Sequence, residues 1–586
     1  MRIQIIRNII IFLFGLIVLN LFYLQVIRGG YFHNLSQSNS LRVVPFEGER
    51  GDILDCNGKV IADSQKAYHA VIVPQDLGRK TEVFGFLAKV LDQPAEELRE
   101  RYLRNKLTPF SPVSVAEGIS RSQAIVIQEN AFRFPGRMVL EYYRRENPYA
   151  EAGAHVIGYV GKPDPDRVRK ITEYGYSAEE MIGYSGIEEF YNDLLRGNAG
   201  GREIEVNSLG QQMRVLSVSE PSKGSDVQLT IDMRIQKAAY NALDGRRGAA
   251  VVLDPDTGEI LALVSSPAFD PNAFLDRDDR SRVAGYLQNA DSPLLNRASS
   301  AAFPPGSVFK IPVSFGGLEE RKIKLTTTFD CPGYFALGAR VFRSPHTWGV
   351  QDMTEAMGHS ANEYFFHIGL MLGPEKISRY ARLMGLGEKT GVDLPYETRG
   401  RIPSLSSRLR WFKGDTANMS IGQGDVLATP LQLVRMIAVF ANNGYLVRPH
   451  LLKAVAGQEI CGDTSVAGRV GLFGSKAKDF QCLRSVTHIS FRNDVWQAMR
   501  RILYAPVKME SGTAHVLDMP GFDTFGKTGT AQAGSGHMDH AWFTGVTITA
   551  KRRIAYAVLL ENGGGSANAC AVVKQMLLDM KEKDIL

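Results

Sequence analysis

The feature that most restricts this chain is the run Ile9–Ile27, which is apolar apart from Gly15, Asn20, Tyr23 and Gln25. As a helix it would reach about 28 Å, close to the hydrocarbon thickness of a bilayer. Such a segment must sit in lipid or be buried in protein. A cleaved signal peptide has a shorter apolar core that ends in a small-x-small site. Here Gln25-Val26-Ile27-Arg28 follows instead. The reading is therefore an uncleaved single-pass anchor, with residues 1–8 as a cytoplasmic tail, 9–28 as the membrane helix and the body outside the cytoplasm. Arg2 and Arg7 precede the span, while Arg28 and Arg42 follow it. The charge bias for that orientation is slight, so it leans on the chemistry downstream.

A body of this size in a 586-residue chain with 44% hydrophobic residues can hold a large catalytic core and a second module. The net charge of +6 is small and no basic stripe stands out, which argues against a nucleic-acid partner. At most it supports mild attraction to anionic lipid. The five cysteines include no C-x-x-C pair. Cys461 and Cys482 either close a loop outside the cytoplasm or remain thiols, and Cys56, Cys331 and Cys570 read as small packing residues. Cys331, His346 and His359 have no zinc spacing, so no metal is expected there.

From Gly29 to Ser225 nothing assembles a nucleophile, a base or a phosphate loop. Asn57-Gly58 between apolar runs reads as a tight turn. Val83–Leu91 and Ala95–Tyr102 are helical patterns, and Ile187, Tyr191, Leu194 and Leu195 form a helical stripe closed by Gly197. Residues 29–225 are expected to form an elongated, non-catalytic α+β spacer or docking module.

Composition changes at Pro221-Ser222-Lys223-Gly224, and residues 226–586 read as the catalytic domain. Asp226–Asp232 alternates like a strand and Met233–Leu243 is a helix pattern. Ala249–Leu253 and Glu259–Val264 are strands around the turn-rich Asp254–Gly258. Next comes Phe303-Pro304-Pro305-Gly306-Ser307-Val308-Phe309-Lys310, entering an apolar run that extends to Leu318. On a helix, Ser307 and Lys310 would share a face. The free N–H groups of a first turn would favour developing negative charge. A serine is a weak nucleophile until a base takes its proton, which a desolvated neutral lysine can do. Ser307 is thus the candidate acyl acceptor and Lys310 its base.

Two further motifs follow in order. Ser360-Ala361-Asn362 is expected on a small polar loop, with Ser360 relaying a proton and Asn362 binding a substrate amide. Lys527-Thr528-Gly529-Thr530 is expected on a strand. There Lys527 offers a cation to a carboxylate and disfavours a charged Lys310, while Thr528 and Thr530 lie beside an edge where an extended peptide could be added. Strands at His540–Thr549 and Arg553–Glu561 and a helix at about Ala569–Met580 complete the chain. Thr429-Pro430-Leu431-Gln432 has the pattern of a capping box and opens a helix whose buried stripe ends at Asn443-Gly444. Each motif has a decoy: Ser475-Lys476-Ala477-Lys478 has no apolar helix behind it, Lys389-Thr390-Gly391 leads into a turn, and Ser566-Ala567-Asn568 comes in the wrong order. The ordered set is therefore informative where single matches are not.

That set resembles the class B penicillin-binding proteins, whose triplet of motifs is established for the superfamily. The resemblance extends to Arg50-Gly51 with Asp55 and Gly58, Phe132-Arg133-Phe134-Pro135-Gly136, His155–Val160, Pro304–Ser307, Gly422-Gln423-Gly424, Thr429-Pro430 and Leu560–Gly564, and favours the elongation type. It implies an α+β protein: a transmembrane helix, an elongated pedestal of the dimerisation type, and a transpeptidase domain with a five-stranded antiparallel sheet flanked by helices. It implies that Ser307, Lys310, Ser360 and Lys527 are catalytic and that Asn362, Thr528, Gly529 and Thr530 bind substrate. The backbone N–H groups of Ser307 and Thr530 would form the oxyanion hole. The implied reaction breaks a D-Ala-D-Ala bond, releases D-Ala and passes the acyl group to a neighbouring stem peptide, with β-lactams as covalent inhibitors and no cofactor. Implied partners are peptidoglycan stem peptides, a SEDS-family glycan polymerase and a scaffold of the rod complex. Some members bind zinc through two aspartates, a histidine and a cysteine. Here Asp330 matches, whereas the other positions hold Ser344, Val350 and Ala361, so no such metal is expected. The rival readings are a division-type transpeptidase, a β-lactam hydrolase, for which no deacylating base is evident, and a β-lactam sensor or scaffold with little turnover.

Overall fold

The computed structural model describes residues 2–30, 41–46, 48–74, 77, 80–106, 113–130, 137–164, 181–206, 212–275, 279–407, 410–459, 486–490, 492–534 and 536–586. Phe132–Gly136, the Cys461 and Cys482 pair and the decoy at Ser475–Lys478 lie outside the described residues. The N-terminal helix Arg2–Phe22 continues as a π-helical turn, Tyr23–Ile27. Its segment Ile3–Ile27 has a mean hydropathy of 2.5, and among the described residues it is the one helix long and apolar enough to cross a membrane.

The chain divides into two compact units that do not follow chain order. The first takes Met1–Arg50, Ser64–Arg144 and Arg196–Gly224. It contains an antiparallel sheet of Leu41–Phe46, Gly200–Val206 and Gln212–Ser219. It also contains helices Lys80–Leu91, Ala95–Asn105 and Arg121–Glu129, whose buried Leu87, Leu98, Tyr102 and Ile127 share a small core with Val113 and Val115.

The second unit takes Gly51–Asp63, Arg145–Leu195 and Ser225–Leu586. The two early segments are built into it. Val227 pairs with Ile53 on one side and Val455 on the other. Buried Arg145 donates to Glu188 at 2.6 Å and to the Gly51 carbonyl at 2.8 Å, and the Tyr191 hydroxyl donates to Asp393 at 2.8 Å. Asn57-Gly58 forms the expected turn, with Gly58 N–H on the Asp55 carbonyl and a φ of +79°.

The centre of this unit is one antiparallel sheet. Helix Met233–Leu243 (α1) leads into strands Gly248–Leu253 (β1) and Ile260–Ser266 (β2). Helices Lys310–Glu319 (α2), Met353–His359 (α3), Asn362–Leu372 (α4), Pro430–Ala438 (α5) and Asn493–Lys508 (α6) come next. Strands Asp523–Ala531 (β3), His540–Ile548 (β4) and Arg553–Leu560 (β5) then close the sheet in the order β2-β1-β5-β4-β3, before helix Ser566–Glu582 (α7). Strands β1, β2 and β5 are buried on both faces, which is why they read as nearly continuous apolar runs. Ala250, Val252, Tyr556 and Val558 face α1 and α7. Ala249, Val251, Ala557 and Leu559 face the core that holds α2, α4 and α5. Each fully buried large side chain contributes about 1.5–3 kcal/mol.

Helix starts follow their caps. The Thr429 side chain accepts from Gln432 N–H and the Gln432 side chain returns to Thr429 N–H, with Pro430 at the first helical position. Two local expectations change. Ser307 does not open a regular α-helix: Gly306–Phe309 is a 3-10 turn and the α-helix begins at Lys310. Gly306, with φ +54°, is pressed against the Thr530 carbonyl, which fixes a tighter turn. In such a turn residues three apart eclipse one another, so Ser307 and Lys310 still lie on one side. The second motif sits on less of a loop than expected: Ser360 and Ala361 form a hinge between α3, which ends at His359, and α4, which begins at Asn362, with Ser360 left-handed at φ +60°.

Candidate active site

Three elements converge. The 3-10 turn carries Ser307 and leads straight into Lys310. The α3–α4 hinge carries Ser360 and Asn362. Strand β3 carries Lys527, Thr528, Gly529 and Thr530, and it is an edge strand of the five-stranded sheet. The approach of turn to strand is backbone against backbone. A Cβ on Gly306 would lie 2.4 Å from the Thr530 carbonyl oxygen, and one on Gly529 would lie 2.6 Å from the Pro305 oxygen. Opposite, a Cβ on Gly422 would meet the Gly306 oxygen at 2.2 Å, and Gly306 N–H donates to the Gly422 carbonyl at 3.1 Å. The Trp542 indole anchors the turn by donating to the Pro304 carbonyl at 2.9 Å.

The side chains form one chain of polar contacts. Lys310 Nζ donates to the Ser360 carbonyl at 2.7 Å and Asn362 Oδ1 at 2.8 Å, and lies 3.2 Å from Ser360 Oγ. Lys527 Nζ reaches the same Ser360 Oγ at 2.8 Å, and the Thr528 carbonyl and hydroxyl at 3.2 and 3.3 Å. Thr528 Oγ1 donates to Thr513 Oγ1 at 2.7 Å, and Thr513 N–H donates to the Gly358 carbonyl at 3.1 Å. Among the described residues no hydrogen bond to Ser307 Oγ is formed, so the hydroxyl is available. Neither lysine is exposed. Burial, reinforced by Lys527, pushes the Lys310 amine well below the ordinary lysine range. Burial brings Lys527 down to about 7. A neutral Lys310 keeps a lone pair for a proton.

Hydrogen bonds therefore join the motif side chains Lys310, Ser360, Asn362, Lys527 and Thr528, and the turn that carries Ser307 lies against the Gly529 and Thr530 backbone. The decoys are elsewhere: Thr390 N–H and hydroxyl both donate to Glu397 in a loop, and Ser566 opens α7. Among the described residues no group of three or more His, Cys, Asp or Glu could hold a metal ion. His359 stacks on Trp348 and is bonded to Gln351 and Ser511. Cys331 and Cys570 are buried thiols.

Motif reading missed three neighbours. Thr513 holds Thr528, the Phe365 ring lies 5.0 Å from Lys310 Nζ, and Gln423 Nε2 donates to the Thr530 carbonyl at 3.4 Å. Phe365 could have been found, since it is one helical turn beyond Asn362. Thr513 has no such local signal.

Residues 248–578 match the penicillin binding protein transpeptidase domain, and residues 45–229 match the penicillin-binding protein dimerisation domain. The chain is 32% identical to the peptidoglycan D,D-transpeptidase MrdA of Acinetobacter baumannii, over 99% of this chain and 89% of that protein. Among solved structures it resembles the penicillin-binding protein PBP2 of Helicobacter pylori in complex with MreC, with a TM-score of 0.78, 28% identity, 93% of this chain and 99% of that one. It also resembles a chain of a peptidoglycan synthase complex described as coordinating polymerization and crosslinking, with a TM-score of 0.74, 29% identity, 99% of this chain and 98% of that one. On the ordered motifs, their convergence and these matches, the chain belongs to the penicillin-binding protein transpeptidase family.

Proposed function

We propose that this protein is a peptidoglycan D,D-transpeptidase that cross-links stem peptides during cell elongation and maintains cell shape. The observation that carries the reading is Ser360 Oγ held between two fully buried lysines beside the Ser307 turn and an open strand edge. The donor peptide lies along β3 with its terminal carboxylate toward Lys527, Thr528 and Thr530. Asn362 holds the donor's backbone amide. Ser307 Oγ attacks the carbonyl of the penultimate D-Ala as Lys310 takes its proton. The Ser307 and Thr530 N–H groups hold the oxyanion. Collapse breaks the peptide bond, and the proton passes through Ser360 to the departing D-Ala amine. An amine from a neighbouring stem peptide then attacks the ester, gives up its proton along the same route and restores Ser307. Water in its place gives carboxypeptidation. A β-lactam forms the same ester, but its amine stays tethered after ring opening and blocks the acceptor.

The apolar helix Ile3–Ile27 serves as a single-pass anchor in the cytoplasmic membrane, with catalysis on the extracytoplasmic side. Within residues 29–225, the stretches Ser64–Arg144 and Arg196–Gly224, which belong to the first unit, serve as the non-catalytic docking region. The likeness to the complexes with MreC and with a polymerizing synthase supports a rod-complex scaffold and a glycan polymerase as partners. The test is covalent labelling by fluorescent penicillin, with mass spectrometry of the acylated peptide. The label is expected on residue 307, and a folded Ser307→Ala protein is expected to take up none. Persistent labelling of that variant overturns the assignment.

A further inference from the structure

Glu363 is wholly inaccessible to solvent, and neither of its carboxylate oxygens has a hydrogen-bond partner among the described residues. It is the second residue of α4. It follows Asn362, which accepts from Lys310, and precedes by two Phe365, whose ring faces the same amine. The first turn of a helix favours an acid, but an exposed one would serve. A buried charge with no donor costs several kcal/mol, which an apolar residue beside Tyr364, Phe365 and Phe366 would avoid.

The charges nearby give this acid a role. Lys310 and Lys527 are both fully buried and both bonded to one hydroxyl, Ser360 Oγ, so two amines face each other across a single oxygen. Glu363 is the one carboxylate among the groups acting on Lys310; the others are Lys527 and the Cys331 thiol. Glu363 also acts on Cys331, whose strand packs against α4. Asp330 on that strand, Glu355 and His359 on α3, and Asp415 on helix Lys413–Ser420 also lie on elements packed against α4, and none of them acts on Lys310.

We propose that Glu363 is a positioning residue for the acylation chemistry: a buried negative charge that, acting through Lys310, sets how many protons the Lys310–Ser360–Lys527 chain holds and so when Ser307 can be activated. This rests on Ser307 and Lys310 being nucleophile and base. When Lys310 takes the Ser307 proton, the new ammonium has a compensating anion on the residue next to its hydrogen-bond partner Asn362. Glu363 raises the proton affinity of Lys310 against burial and Lys527, which lower it. Without that anion Lys310 sheds its proton at lower pH and is a weaker base.

The experiment is the acylation rate of the full-length enzyme with fluorescent penicillin, followed against pH, for the native chain, Glu363→Gln, Glu363→Leu and Glu363→Asp. Both neutral variants are expected to move the acid limb down by about one pH unit and lower the plateau about tenfold. They should melt no lower than the native protein. Glu363→Asp should keep the native limb. An unmoved limb in a folded neutral variant overturns the proposal, and so does failure of both neutral variants to fold, which would make the residue structural. Labelling of Ser307→Ala would sink the underlying reading instead, whatever the limb does.

Discussion

Gly306 shows how narrowly Ser307, the proposed nucleophile, is held. Its φ is +54° and a Cβ there would lie 2.4 Å from the Thr530 carbonyl. Gly306→Ala therefore meets two obstacles, a left-handed backbone costing about 1–2 kcal/mol and an overlap that only movement of turn or strand relieves. Displacing Ser307 by about 1 Å is expected to slow acylation about a hundredfold. The check is the penicillin-labelling rate of a variant whose melting shows it is folded; a rate near native would mean that the turn tolerates the shift. At this scale the assembly of the candidate site was largely legible. Ser307, Lys310, Ser360, Asn362 and Lys527 announce themselves by type, spacing and order. Thr513 does not, and Gln423 does so only as part of the Gly422–Gly424 motif and not as a site contact, because each reaches the site from an element whose separation from the motifs is set by the fold. The lowered proton affinity of Lys310 was legible only as a requirement of the chemistry, since it depends on burial by residues far along the chain.

The helix α5 supports one face of the sheet, and its start is written in four residues. Thr429 and Gln432 exchange hydrogen bonds across the first turn with Pro430 between them. Thr429→Ala is expected to lower unfolding free energy by about 1 kcal/mol, read as a lower urea midpoint at unchanged slope. An unchanged midpoint would show that tertiary packing alone holds the turn. This helix was readable because its cap, its proline and its apolar stripe agree. The capping box of α3, Asp352 with Glu355, is equally visible in the sequence. The 3-10 turn at Ser307 was not visible, since it is imposed by the close approach of Thr530 to Gly306. Nor was the strand order: β1 pairs with β5, joining Gly248 to Leu560 across most of the catalytic unit. That pairing follows from which faces can be buried, and local sequence does not record it.

At the scale of the molecule, buried groups tie stability to pH. His155 is buried, with Nε2 at 2.9 Å from the Pro293 carbonyl, and burial lowers its pKa from 6.5 to about 4. Between those values the unfolded chain holds a proton that the native one excludes. The stabilisation is therefore complete above pH 6.5 and is lost as pH falls toward 4, by about 3 kcal/mol. His155→Gln should flatten that part of the urea-midpoint profile relative to the native protein, and parallel profiles would show that another group carries the acid sensitivity. The interleaving of segments has a further consequence. Ile53 flanks Val227, Arg145 spans Gly51 and Glu188, and Tyr191 is tied to Asp393, all inside the unit that holds Ser307. The polypeptide is stitched through this unit rather than strung before it. Gene exchange that replaced only the stretch after Ser225 would set foreign seams against Ile53, Arg145 and Tyr191, so viable mosaics must inherit those early patches together with the enzyme they line.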